Sequence, residues 1–143
     1  MTTPRAAAIA LVTSYYTIFN RGDREAFLAL LTTDVRHDIN QGGSEVGVPA
    51  FRAFLLRMDR SYREQVVDLR VIADDNGTHA AAEFTIVGSY LKTDEGLPPA
   101  TGQTYRLPVA AFFDLRREEG GKPKVARITN HYNLADWLKQ VGA

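Results

Sequence analysis

The chain has 143 residues, 45% hydrophobic and 24% charged, which points to one domain over residues 1–143 with a real core and excludes wholesale disorder. Seventeen Lys and Arg balance seventeen Asp and Glu, so no positive surplus favours nucleic acid or an anionic membrane, and zero net charge removes a barrier to self-association. There is no cysteine, which excludes disulfides, thiolate metal sites and a Cys nucleophile. Residues 1–12 lack a signal peptide's apolar run, and no stretch approaches the ~20 apolar residues that span a bilayer, so the expected location is cytoplasmic.

The first third reads as helical. Thr3-Pro4 supplies an N-cap and a proline at the first helical position, and Ala8, Leu11, Val12, Tyr15 and Phe19 then form one apolar stripe. Asn20-Arg-Gly22 stops that helix, because Gly tolerates the left-handed C-terminal conformation. Asp23 caps a second, short helix carrying Phe27, Leu28 and Leu31. A short strand follows from Val35, and Gly47-Val-Pro49 starts a third helix whose apolar face carries Phe51, Phe54, Leu55, Met58 and Tyr62.

The remainder reads as strands. Val66–Ala73 is β-branched, Asp74-Asp-Asn-Gly77 is a hairpin turn, and 80–91 is the return strand. A loop over 93–102 leads to a strand at 103–115, a turn at 116–123 and a last strand at 124–132. Residues 134–141 predict a short closing helix. Helices first and a strand meander afterwards predict an α+β fold. Leu107, Val109, Ala111 and Phe113 share one face of their strand, with Ala110 and Phe112 on the other. A sheet apolar on both sides needs two covers: the helices on one side, and a second copy of the chain on the other as a homodimer through the sheet.

The polar cluster His37, Asp38, Asn40 and Gln41 stands out, because it interrupts an otherwise apolar neighbourhood at a strand end. Buried polar groups are costly without partners, so the cluster either hydrogen-bonds a wet turn or lines a cavity. A His imidazole near a carboxylate suits general-base work near neutral pH, although adjacent strand residues point to opposite faces. His37, His79 and His131 are scattered with no ligand spacing, so no metal is expected, and no cofactor motif is present.

Tyr15-Tyr-Thr-Ile-Phe-Asn-Arg-Gly-Asp23 resembles the first-helix signature of ketosteroid isomerases and SnoaL-type polyketide cyclases, and Gly47-Val-Pro-Ala-Phe-Arg-Ala-Phe54 is similar to their third-helix start. His37-Asp-Ile-Asn-Gln-Gly-Gly43, the segment 90–98 and Tyr132-Asn-Leu-Ala-Asp-Trp137 resemble the ketosteroid isomerase-related proteins of the nuclear transport factor 2-like superfamily. The resemblance implies a cone, with N-terminal helices packed on a curved, mostly antiparallel sheet around a central pocket. It puts a phenol donor at Tyr15. The base falls on Asp38 if one residue is missing before the strand, or on Ile39 without that gap, in which case His37 faces the cavity. The isomerase's protonated carboxylic acid falls on Ala110, which cannot donate, and this argues against true steroid isomerisation.

The same resemblance places Asn130 and Tyr132 on the cavity wall and aligns Phe54, Phe84, Phe112 and Met58 with lining positions, where plain core packing is the alternative. Asn40 is read as a ligand contact. The expected function is binding of a small hydrophobic or aromatic metabolite, with cofactor-free proton transfer of isomerase, cyclase or hydratase type. A non-catalytic dimeric ligand-binding module, or a protein-interaction domain with a filled core, is the alternative. The fold hosts all of these, so fold alone does not choose among them.

Overall fold

In the computed structural model, residues 2–118 and 121–142 are described. Helix α1 (Pro4–Arg21) starts where the Thr3 hydroxyl accepts the Ala6 N–H at 3.1 Å, and it ends at Gly22 with φ 75°. Its buried residues, Ala8, Leu11, Val12, Tyr15 and Tyr16, face the sheet. Helix α2 (Arg24–Leu28) is capped by Asp23 and buries Phe27 and Leu28. Strand β1 (Leu31–Ile39), a tight turn at Asn40–Gly42 and strand β2 (Gly43–Val46) follow, then helix α3 (Val48–Ser61). The chain continues through β3 (Tyr62–Ala73), β4 (His79–Tyr90), β5 (Thr104–Arg117), β6 (Pro123–Tyr132) and α4 (Leu134–Val141). Residues 119 and 120, within the turn expected over 116–123, lie outside the described residues.

The six strands form one sheet in the order β2-β1-β6-β5-β4-β3, antiparallel throughout except for the parallel pair β1/β6. Register shifts in β1, in β3 and between β5 and β6 act as bulges, which bend strands and deepen the twist. The shift in β3 coincides with Asp68, whose φ is 56°. The result is a curved, open sheet whose concave side is covered by the helices, an α+β architecture of the nuclear transport factor 2-like type. β3 is an edge strand, and Asn20 completes it. Its amide donates to the Val66 carbonyl at 2.9 Å and accepts the Val66 N–H at 2.8 Å, as a neighbouring strand would.

Tyr62 departs from its expected place on the third helix. It is the first residue of β3, pairs with Tyr90 across the strands, and stacks on that ring at 5.3 Å. Cross-strand packing outweighs the helical period here. The strand expected from Val66 therefore begins four residues earlier, which brings Glu64 into the sheet.

Candidate functional site

Between the concave face and the helices lies a cavity of about 380 Å³, within the range of small-molecule pockets. Its wall is mostly apolar, with Phe19, Phe27, Phe51, Leu55, Val109 and Ile128 contributing from five elements. The sheet's alternation decides which polar groups reach it. On β1 the odd positions turn inward: Val35 is fully buried and His37 is 3% exposed. On β6 the inward set is Ile128, Asn130 and Tyr132, all three on the cavity wall.

The His37 ring stacks on Phe51 at 4.3 Å and meets the edge of Phe54 at 4.7 Å. Its Nε2 accepts from the Asn130 amide at 3.3 Å, which leaves the ring proton on Nδ1, a buried atom without a partner. Burial pushes the imidazole down to about 4, against the opposing pull of the nearby Asp38 charge, so the ring is neutral at pH 7. Asn40, at the end of β1, accepts the Tyr132 N–H at 3.1 Å while its own amide nitrogen is buried and unpartnered. Both nitrogens are shut off from the cavity space as well as unpaired, so they are packing costs of this wall and not ligand contacts.

The structure brings His37, Tyr15, Asn40, Phe54, Met58, Phe84, Asn130 and Tyr132 to the cavity. Tyr15 is packed among the rings of Tyr16, Phe27 and Phe113. Burial holds its hydroxyl far above the usual phenol range, and it makes no hydrogen bond to a described residue.

Two sequence-predicted residues are elsewhere. Asp38 is a correction: it has the parity opposite to His37, so its carboxylate leaves by the outer face. There Oδ1 accepts Arg36 Nε at 2.8 Å and Ser44 Oγ at 3.0 Å, while Oδ2 accepts Arg127 Nε at 2.7 Å and Thr129 Oγ1 at 2.8 Å. Burial tends to raise this carboxyl, but the four hydrogen bonds outweigh it and hold it far below the ordinary carboxylate range. It is an electrostatic clamp between β1 and β6, with no lone pair left for chemistry. Phe112 is the second correction. β5 turns its odd residues inward, so Phe112 points outward, 53% exposed, with its ring 5.7 Å from His131.

Sequence reasoning missed Glu64, a carboxylic residue on the cavity wall. Its Oε2 accepts the Tyr105 hydroxyl at 2.5 Å. Burial raises its carboxyl above the ordinary range, opposed by the Tyr105 hydrogen bond and the Arg24 charge. The period-two run Tyr62, Glu64, Val66 was the available signal, hidden by extending the helical stripe to Tyr62. Further round, the Tyr62 hydroxyl donates to Asp94 at 3.0 Å, and Arg24 pairs with Asp59. Trp137 of α4 and Leu97 close this end.

Among the described residues there is no group of three or more His, Asp or Glu placed to hold a metal ion. No helix among them is long and apolar enough to cross a membrane.

Comparison with known proteins agrees with this geometry. The family model of the SnoaL-like domain matches residues 12–128. No curated protein matches. A crystal structure of a candidate polyketide cyclase from Xanthomonas campestris pv. campestris is 52% identical and superposes with a TM-score of 0.90, over 96% of this chain and 98% of that one. A second, from Pseudomonas putida, is also 52% identical, with a TM-score of 0.89 over 99% and 98% of the two chains. A third, from Silicibacter, is 44% identical with a TM-score of 0.89 over 96% of each. With the family match spanning the helical lid and nearly all of the sheet, the chain belongs to the SnoaL-like family of the nuclear transport factor 2-like fold.

Proposed function

We propose that the protein binds a small, neutral, hydrophobic or aromatic carbonyl compound in this cavity and moves a proton on it without a cofactor, as an isomerase, cyclase or hydratase does. The observation that carries this reading is His37: a neutral imidazole in an apolar wall, held by Asn130 and packed between two phenylalanine rings. Nε2 is the basic atom, and Asn130 gives up its hydrogen bond as the ligand arrives. A base pushed down to about 4 is matched to an acidic C–H beside a carbonyl rather than to an unactivated one. The similarity to proteins named as candidate polyketide cyclases supports the same class of substrate.

Proton transfer can be read directly by following deuterium uptake at the carbon beside the carbonyl of an aromatic 1,3-diketone in heavy water by NMR. Wild type is expected to accelerate uptake, and His37→Gln is expected to reduce the acceleration by about 10²-fold or more. Equal acceleration by both proteins rejects His37 as the base.

The outer face of the sheet supports a homodimer: Phe112 is exposed there in a chain of zero net charge. Light scattering is expected to give twice the chain mass for wild type and the single mass for Phe112→Glu; a monomeric wild type contradicts the dimer.

A further inference from the structure

Glu64 enters from the far edge of the sheet. β1, which carries His37, and β3, which carries Glu64, are separated by β6, β5 and β4, yet the curvature brings both residues onto one cavity. The Glu64 site is built across three strands. In register, Glu64 pairs with Gly88, and Gly88 with Tyr105. A Cβ at Gly88 would lie 2.5 Å from the Tyr105 ring, so only glycine lets that ring lie across β4 and deliver its hydroxyl to the carboxyl. Tyr105 holds Oε2. Oε1 has no hydrogen-bond partner among the described residues, and no Lys or Arg among them forms an ion pair with Glu64. Arg24, paired with Asp59, lines the same cavity with Tyr62, Asp94 and Tyr132; its charge and the Tyr105 hydrogen bond favour the carboxylate, while burial, the larger effect, favours the neutral acid.

We propose that Glu64 is the proton donor of this pocket, its Oε1 meeting the carbonyl oxygen of a neutral ligand while Tyr105 holds Oε2. This rests on the assignment of His37 as the base. In the step, Nε2 of His37 takes the proton from the carbon beside the carbonyl, and the C–H pair becomes the new C=C bond. The C=O π pair takes the Glu64 proton and gives the enol. An imidazolium and a carboxylate remain, and charge is conserved. Reversal at the product's acceptor carbon, or exchange with water, resets both. The raised carboxyl of Glu64 accords with this role. A selectivity follows: the neutral acid donates to a ketone, the ionised form opposes a ligand carboxylate, and a permanently ionised Glu64 would instead seat an ammonium.

The test is calorimetric binding of three matched probes, 2-acetylnaphthalene, 2-naphthoate and 2-naphthylmethylammonium, from about pH 5 to about pH 8, to wild type, Glu64→Gln and Tyr105→Phe. At about pH 5 wild type is expected to prefer the ketone over the ammonium by about tenfold or more, with ketone and naphthoate affinity both falling as pH rises and the donor proton leaves. In Glu64→Gln the amide donates at every pH, so the profile becomes flat and naphthoate gains about tenfold or more at about pH 8. Tyr105→Phe removes a bond that favours the carboxylate, so the midpoint of the profile moves up.

Tighter binding of the ammonium than of the ketone by wild type at about pH 5 overturns the proposal. So does one pH profile shared by wild type and Glu64→Gln, or, if that variant does not fold, an unmoved midpoint in Tyr105→Phe. Ketone binding with His37-dependent deuterium uptake, alongside any of these results, leaves the pocket's function standing and removes only Glu64. Failure of every probe to bind wild type overturns both.

Discussion

His37 and Asp38 are neighbours in sequence with opposite destinies, and pH separates them. His37 has its proton affinity lowered from 6.5 to about 4 by burial, so the unfolded chain binds a proton between those values that the folded one refuses. Stability is therefore intact above pH 6.5 and drains away as pH falls toward 4, a loss of roughly 3 kcal/mol when complete. Asp38 is held down by its hydrogen bonds, so its contribution survives to below 3.8 and disappears only in stronger acid. Glu64, whose raised carboxyl takes up a proton on folding, contributes the opposite slope, so urea unfolding is expected to show the stability of wild type falling relative to His37→Gln as pH drops from 6.5 toward 4; a constant difference contradicts a buried neutral His37. Asp38→Asn should cost about 1–3 kcal/mol at pH 7, because an amide cannot serve two guanidinium groups, and should leave ligand binding untouched. Loss of binding with stability preserved would return Asp38 to the pocket.

At the scale of elements, the row Glu64–Gly88–Tyr105 ties β3, β4 and β5 together at the cavity's far wall. Gly88→Ala should destabilise the protein by about 1–3 kcal/mol and separate Tyr105 from Glu64. A variant as stable as wild type, with the Tyr105 hydroxyl still on the carboxyl, would refute the close fit. This row also explains the limits of the sequence. Helix α1, its cap and its stop were legible because stripe, Thr3-Pro4 and Gly22 agree, and the meander was legible from its turns. That Asn130 and Tyr132 share one face followed from alternation, and the family resemblance put that face inside. Glu64 was not legible: Tyr62 satisfies the helical period of α3 as well as the strand period of β3, and only pairing with Tyr90 decides between them. Phe112 was misplaced because an aligned position was preferred to the parity of its own strand. The choice between His37 and Asp38 depended on a register that one sequence leaves open, and a one-residue slip exchanges the faces.

Over the whole molecule, bulged strands bend one sheet around a space that the lining side chains leave unfilled. Phe54, Met58 and Phe84 line that space without plugging it. Its chemistry is sparse and set far apart in sequence: His37 with Asn130 on one wall and Glu64 with Tyr105 on the other. The helices α1 and α3, with the segment leading into α4, form its other wall. A filled interior would favour an interaction module; the hollow one supports the small-molecule ligand proposed above. The most direct measurement is a crystal structure of the protein soaked with 2-acetylnaphthalene. The account predicts the rings between Phe54 and Phe84, with the carbonyl oxygen within hydrogen-bond reach of Glu64 and its methyl carbon facing His37. A ligand-free cavity at saturating ketone, or a ketone bound only on the outer face beside Phe112, would contradict it.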